Sequence, residues 1–129
     1  MPRMVSQTAE YALKAVLFLA NAGGGPAVAQ DISEATGVPK GYLHKILRRL
    51  GKAGILGSQR GVGGGYVLLK PPSQISVLQV FRATAGTMKP QSWGDNGLDP
   101  VHKLIEKAAR RVDEVFESTT VQDLVESRS

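Results

Sequence analysis

Lys40, His44, Lys45, Arg48, Arg49 and Lys52 crowd one short segment with no acidic residue among them. Guanidinium and ammonium groups in such an array bind phosphate oxygens, and a few can reach base edges. Further on, Arg60 precedes Gly61-Val62-Gly63-Gly64-Gly65, so a cation sits beside a backbone that can approach a polyanion closely. The whole chain is +5, and the charge is unevenly placed. Residues 35–94 contain nine bases and no acid, whereas both flanks are slightly acidic. Short basic runs are often only a solvated face. A stretch this long without an acid is the footprint of a polyanion partner, nucleic acid ahead of an anionic membrane surface.

Other chemistries are poorly served. The chain has no cysteine, which excludes disulfides, thiolate catalysis, cysteine zinc sites and all-thiolate iron-sulfur clusters. His44 and His102 fall on different predicted helices, and no nucleophile-base pair or paired carboxylates occur in the basic stretch, so no enzyme is expected. Asp99 and His102 are two scattered hard donors, read as a helix cap and a surface histidine, so no metal and no cofactor are expected. A nucleotide-cradling loop at residues 61–65 would have to lead from strand into helix, but this one leads into another strand.

The elements that must position these residues form one domain in 129 residues. A first helix is predicted over 8–21 with Ala9, Ala12, Leu13, Val16, Leu17 and Ala20 inward, stopped by Gly23-Gly24-Gly25-Pro26. A short helix over 28–36 carries Ile32 and Ala35 inward, and Gly37 supplies the turn. Pro39 suits the first position of the next helix, whose apolar stripe is Tyr42, Leu43, Ile46, Leu47 and Leu50, with Gly54 as its stop. The period then changes to that of strands at 55–60 and 66–70, a hairpin in which Arg60 ends the first strand. Ser76 caps a helix with Val77, Leu78, Val80 and Phe81 inward, closed by Gly86. Residues 87–98 read as a polar loop, Asp99 caps and Pro100 opens a long helix to about residue 117, and a short tail holds Val121, Leu124 and Val125. No apolar run is long enough for a membrane span, and a cytoplasmic protein is expected.

Ile32, Ser33, Gly37, Val38, Leu43 and Ile46 have helix-turn-helix spacing, although helical hairpins that touch no DNA share it and Thr36 stands where an apolar residue is usual. The basic face of the second helix and the hairpin behind it add weight, because such a ribbon is a wing that can lie along the neighbouring backbone or minor groove. Arg60 there is suited to a narrow minor groove.

Glu10-Tyr11-Ala12-Leu13-Lys14-Ala15, Gly41-Tyr42-Leu43-His44-Lys45-Ile46-Leu47, Lys52-Ala53-Gly54-Ile55-Leu56 and Ser58-Gln59-Arg60-Gly61-Val62-Gly63-Gly64-Gly65-Tyr66 resemble the Rrf-type winged helix-turn-helix transcriptional regulators, the family of IscR, NsrR and CymR. The likeness runs from the first helix to Gly86 and resumes at Thr120-Val121-Gln122-Asp123-Leu124. It implies a homodimeric bacterial transcription factor, usually a repressor, on a partly palindromic operator. Many members hold an iron-sulfur cluster on three cysteines between the positions matching Gly86 and the long helix; this chain has none there. Trp93 in that loop could line an effector pocket or pin the loop to the domain.

Val101, Ile105, Ala108, Val112, Val115 and Thr119 follow the narrow seam of a two-stranded coiled coil, with Leu104 and Ala109 widening the face toward intrachain packing. The resemblance favours dimerisation through Val101, Ile105, Ala108, Val112 and Val115. The expectation is therefore a mainly α fold: a winged helix-turn-helix with a two-stranded β-wing at 1–86, an effector or cluster-region loop at 87–98, and a long C-terminal dimerisation helix and tail at 99–129. The expected DNA contacts are Lys40, Tyr42, His44, Lys45, Arg48, Arg49, Arg60, Gly63 and Gly64. The expected partners are a double-stranded DNA operator, a second copy of the chain and an unidentified small-molecule or protein effector, with no membrane. The rival reading is a winged-helix interaction module docking an acidic protein.

Overall fold

Ser6 starts the first helix by accepting the Ala9 N–H at 3.1 Å, and the computed structural model describes residues 5–84 and 100–127. Helix α1 (Gln7–Asn21) buries Ala9, Ala12, Ala15, Val16 and Leu19. The predicted face was too narrow and slightly rotated: Leu13, Leu17 and Ala20 are only half-buried, while Ala15 and Leu19 are fully enclosed. The reason is tertiary. Helix α1 is the hub against which the second, third, fourth and last helices and a strand all pack, so its buried arc is wider than one amphipathic stripe.

Helix α2 (Ala29–Thr36) buries Ile32 but leaves Ala35 exposed, contrary to expectation, because α2 turns only one edge to α1 and to the helix that follows. The tight turn uses Gly37 at φ +78°, a conformation that costs glycine little. Thr36 fits for a reason that its type hides. Its hydroxyl donates to the Ile32 carbonyl at 2.6 Å and accepts the Val38 N–H at 3.3 Å, while the Ser33 hydroxyl donates to the Val38 carbonyl at 2.6 Å. These bonds close the turn from within.

Helix α3 (Lys40–Lys52) follows Pro39, which is its N-cap rather than its first helical residue. Leu43, Ile46, Leu47 and Leu50 are at most 1% exposed. Tyr42, expected in the same stripe, is 41% exposed and lies at its margin.

Strands β1 (Leu56–Gln59) and β2 (Gly65–Leu68) pair antiparallel from Leu56 opposite Leu68 to Gln59 opposite Gly65. Both are shorter than predicted, and Arg60 stands one residue past β1. The free edge of β2 is not left open: Ala27 and Tyr66 exchange N–H···O bonds at 3.0 and 2.7 Å, and the Leu68 N–H donates to the Gly24 carbonyl at 2.9 Å. That approach explains the glycines at both sides. A Cβ on Gly25 would sit 2.5 Å from the Tyr66 carbonyl oxygen, and one on Gly65 would sit 2.5 Å from that of Ala27.

A 3-10 turn (Pro72–Gln74) leads to α4 (Val77–Ala83), whose N-terminus is closed by the reciprocal Ser76 and Gln79 capping box. All four predicted inward residues of α4 are buried. Gly86, the loop at 87–98, Trp93 and Asp99 lie outside the described residues.

Helix α5 (Pro100–Ser118) buries Ala109 and sets Phe116 edge-on to Phe81 at 4.9 Å. The seam predicted along α5 is split. Val101 (53%), Leu104 (65%) and Val115 (59%) face outward with Ala108, while Ile105 and Val112 are half-buried on the flank. The predicted tail is helix α6 (Val121–Glu126), capped by Thr120 and Asp123. It returns to the hub: Val77 N–H donates to the Thr119 carbonyl and Val121 N–H to the Ile75 carbonyl, each at 2.8 Å, and Val121 is fully buried.

Thr36→Val should keep the volume of the turn residue but remove both bonds of its hydroxyl, at a cost of about 1 kcal/mol. Urea unfolding of the two proteins checks this, with a lower midpoint and an unchanged slope expected for the variant.

Candidate nucleic-acid interface

The rotation of α3 is set by its four buried residues, and at 100° per residue the opposite face is fixed with it. Gly41, Lys45, Arg48 and Lys52 occupy the centre of that outward face, and all are exposed. His44 lies on the flank toward the wing, and Tyr42 and Arg49 lie on the flank toward α1. Of the expected contacts, Lys40, Tyr42, His44, Lys45, Arg48, Arg49 and Arg60 are therefore all solvent-accessible. On α5 the Glu106 carboxylate lies 2.7 Å from the His102 imidazole and 3.7 Å from the Arg110 guanidinium. Among the described residues no cation of α3 or the wing has an ion-pair partner, so the local potential is strongly positive.

Tyr42 is held before any partner arrives. Its hydroxyl bonds the Thr8 hydroxyl, and its ring stands edge-on to Tyr11 with centroids 5.8 Å apart. Tyr11 in turn accepts from Gln7 at 2.7 Å and lies under the Lys14 ammonium at 5.9 Å. Thr8 and Tyr11 thus brace the first turn of α3 from α1. Reading the basic segment alone missed them, because nothing local in a sequence says which residues of a distant helix will lie beside it.

At the wing tip Gly61 and Gly63 have φ of +99° and +78°, and the Gly64 N–H donates to the Gly61 carbonyl at 3.0 Å. The two glycines named as expected contacts have different structural settings. Gly63 has open space around it, whereas a Cβ on Gly64 would lie 2.2 Å from the Gln59 carbonyl oxygen. Gly64 is required for the hairpin to close, whatever else it touches. Val62, between Gly61 and Gly63, is wholly exposed. Between α3 and the wing runs a cleft of about 350 Å³ whose polar lining is His44, Arg48, Ser58 and Tyr66. Ser58 and Tyr66 come from the strands and were likewise not legible as site residues.

This arrangement can hold a polyanion across α3 and the wing. Residues 5–127 match the family model described as Rrf2, iron-dependent transcriptional regulator. The chain is similar to an rrf2-like HTH-type transcriptional regulator of Rhodobacter capsulatus, 35% identical over 118 residues, covering 88% of this chain and 79% of that one. It is similar to an HTH-type transcriptional regulator of Haemophilus influenzae, 36% identical over 126 residues, covering 92% and 84%. Its fold superposes on the structure of CymR, the global cysteine regulator of B. subtilis, with a TM-score of 0.87 at 28% identity and full coverage of both chains.

Gly64→Ala should lower the thermal midpoint by several degrees, since a methyl group cannot occupy the space held by a carbonyl. Gly63→Asn should leave it nearly unchanged, because asparagine tolerates the left-handed region and has room there. Differential scanning calorimetry of the two variants makes the comparison.

Proposed function

This chain belongs to the Rrf2 family of transcriptional regulators and is a DNA-binding protein rather than an enzyme, and we propose that it acts as a homodimeric repressor of a palindromic operator. The observation that carries this reading is the outward face of α3, where Lys45, Arg48 and Lys52 stand exposed with no ion-pair partner among the described residues. That face enters a major groove, with Lys40, His44 and Arg49 at its margins, and the wing places Arg60 toward the adjoining minor groove. Gly63 lets the tip approach the backbone and Gly64 keeps the tip closed behind it.

The dimer contact is assigned to the outward stripe of α5, Val101, Leu104, Ala108 and Val115, with Ile105 and Val112 at its edge. A contiguous exposed apolar stripe on a helix whose other face is already packed has a reason to meet a second copy. Twofold symmetry then sets two α3 helices about 34 Å apart, one turn of DNA.

The family description names iron, and the fit of this chain to an iron-sulfur cluster is poor. Thiolate donors are absent from the entire sequence, and among the described residues no three His, Asp or Glu side chains converge. No step of operator binding is routed through a cluster.

Titration against an operator fragment defined by genomic footprinting tests the reading. Affinity should fall on the order of 10³-fold or more between 50 and 200 mM salt as cations displace phosphate counterions, and be the same for protein treated with chelator. Negligible affinity for every duplex at low salt would favour the acidic-protein partner instead. Leu104→Glu should yield a folded monomer by light scattering with at least about tenfold weaker operator binding, because a carboxylate in an apolar seam is desolvated without a partner. An unchanged dimer would move the interface to another face.

A further inference from the structure

The cleft between α3 and the wing is lined by Leu47, Gly51, Leu56 and Gly57 together with four side chains that can donate hydrogen bonds. His44 and Arg48 project from the helix, Ser58 and Tyr66 from the strands, and no carboxylate lines it. Among the described residues none of these four side chains has a hydrogen-bond or ion-pair partner within the chain. Imidazole, guanidinium, hydroxyl and phenol groups can each donate a hydrogen bond, and with no carboxylate beside them they fit an oxyanion. Gly51 forms part of the helix wall, and a Cβ there would find no atom nearer than 3.8 Å. Packing does not require glycine at this point of α3, where it weakens the helix relative to alanine. An occupant of the cleft would.

The geometry of the duplex says what occupies it. If α3 lies in a major groove and the wing follows the adjoining minor groove, the one sugar-phosphate strand separating those grooves must pass between them. We propose that the cleft is a phosphodiester site, taking one backbone phosphate per half-site between Arg48 of α3 and Ser58 of β1, with His44 and Tyr66 as the flanking donors. This rests on the DNA-binding reading above and adds to it the group that is gripped and the strand residues that grip it. The shared grip locks helix and wing to the same strand, so it fixes the register of one groove contact relative to the other.

Single methylphosphonate linkages, which remove one phosphate charge at a time, placed through the operator half-site provide the test. For the unaltered protein one linkage between the two contacted grooves should weaken binding about tenfold. Arg48→Ala should lose a similar factor on native DNA and then be insensitive to that linkage, and Ser58→Ala should couple to the same linkage with a smaller loss. Lys45→Ala, outside the cleft, should remain additive there. Gly51→Leu should fill the cleft, leave the thermal midpoint undiminished and abolish sensitivity to that linkage. Coupling of Arg48 and Ser58 to different linkages, or to none, overturns the proposal. Inorganic phosphate at matched ionic strength separates the alternative source: saturable, Arg48-dependent displacement of DNA without linkage coupling assigns the cleft to a free anion and overturns the DNA assignment. Loss of all operator binding at low salt overturns the DNA reading itself, whereas binding without coupling overturns only the cleft.

Discussion

Leu43, Ile46, Leu47 and Leu50 cannot be exposed without losing most of the contact between α3 and the core, and this constraint governs everything the helix offers a partner. Each is at most 1% exposed, and burial of a leucine or isoleucine side chain is worth about 1.5–3 kcal/mol. Together they permit one rotation of α3 about its axis. Lys45, Arg48 and Lys52 are then forced outward, and no acid of the same helix or the hairpin is present to pair with them. The cationic face is thus the obligatory reverse side of the apolar one.

A helix fixed in rotation still has to be fixed in relation to the wing. That is the task of the connector between α1 and α2. Gly24 and Ala27 pair with β2 on its outer edge, so the hairpin is held on both sides rather than hanging from α3 alone. An isolated two-stranded hairpin is marginal in water, and the pairing along its outer edge gives it a third support. The opposite end of the hub is closed in a similar way, by the hydrogen bonds that join Ser76 and its neighbours to Thr119, Thr120 and Val121.

Helix α5 serves two surfaces at once. Ala109 and Phe116 turn to their own domain, and Val101, Leu104, Ala108 and Val115 turn away from it. A family in which iron is part of the description thus includes a chain whose sequence supplies the DNA-binding architecture without thiolate donors.

Much of this was legible from residue order. Turn glycines, capping serines and apolar periodicity are local signals, and they located α1 to α4, the hairpin and the long helix, because each depends on neighbours a few residues away. The acid-free basic stretch and the Arg-Gly wing likewise point to nucleic acid from residue order alone. What sequence could not decide was which side of each element meets which other. Leu13, Leu17 and Ala35 carry apolar types but lie at margins, because α1 is surrounded and α2 is touched on one edge. Thr36 reads as a misfit until its hydroxyl is seen closing the turn. The apolar repeat of α5 is consistent with one seam, and only packing against Phe81 divided it into an inward and an outward face. Ser58, Tyr66, Thr8 and Tyr11 join the site solely because the folded chain brings distant elements together, and one-dimensional order carries no signal for that.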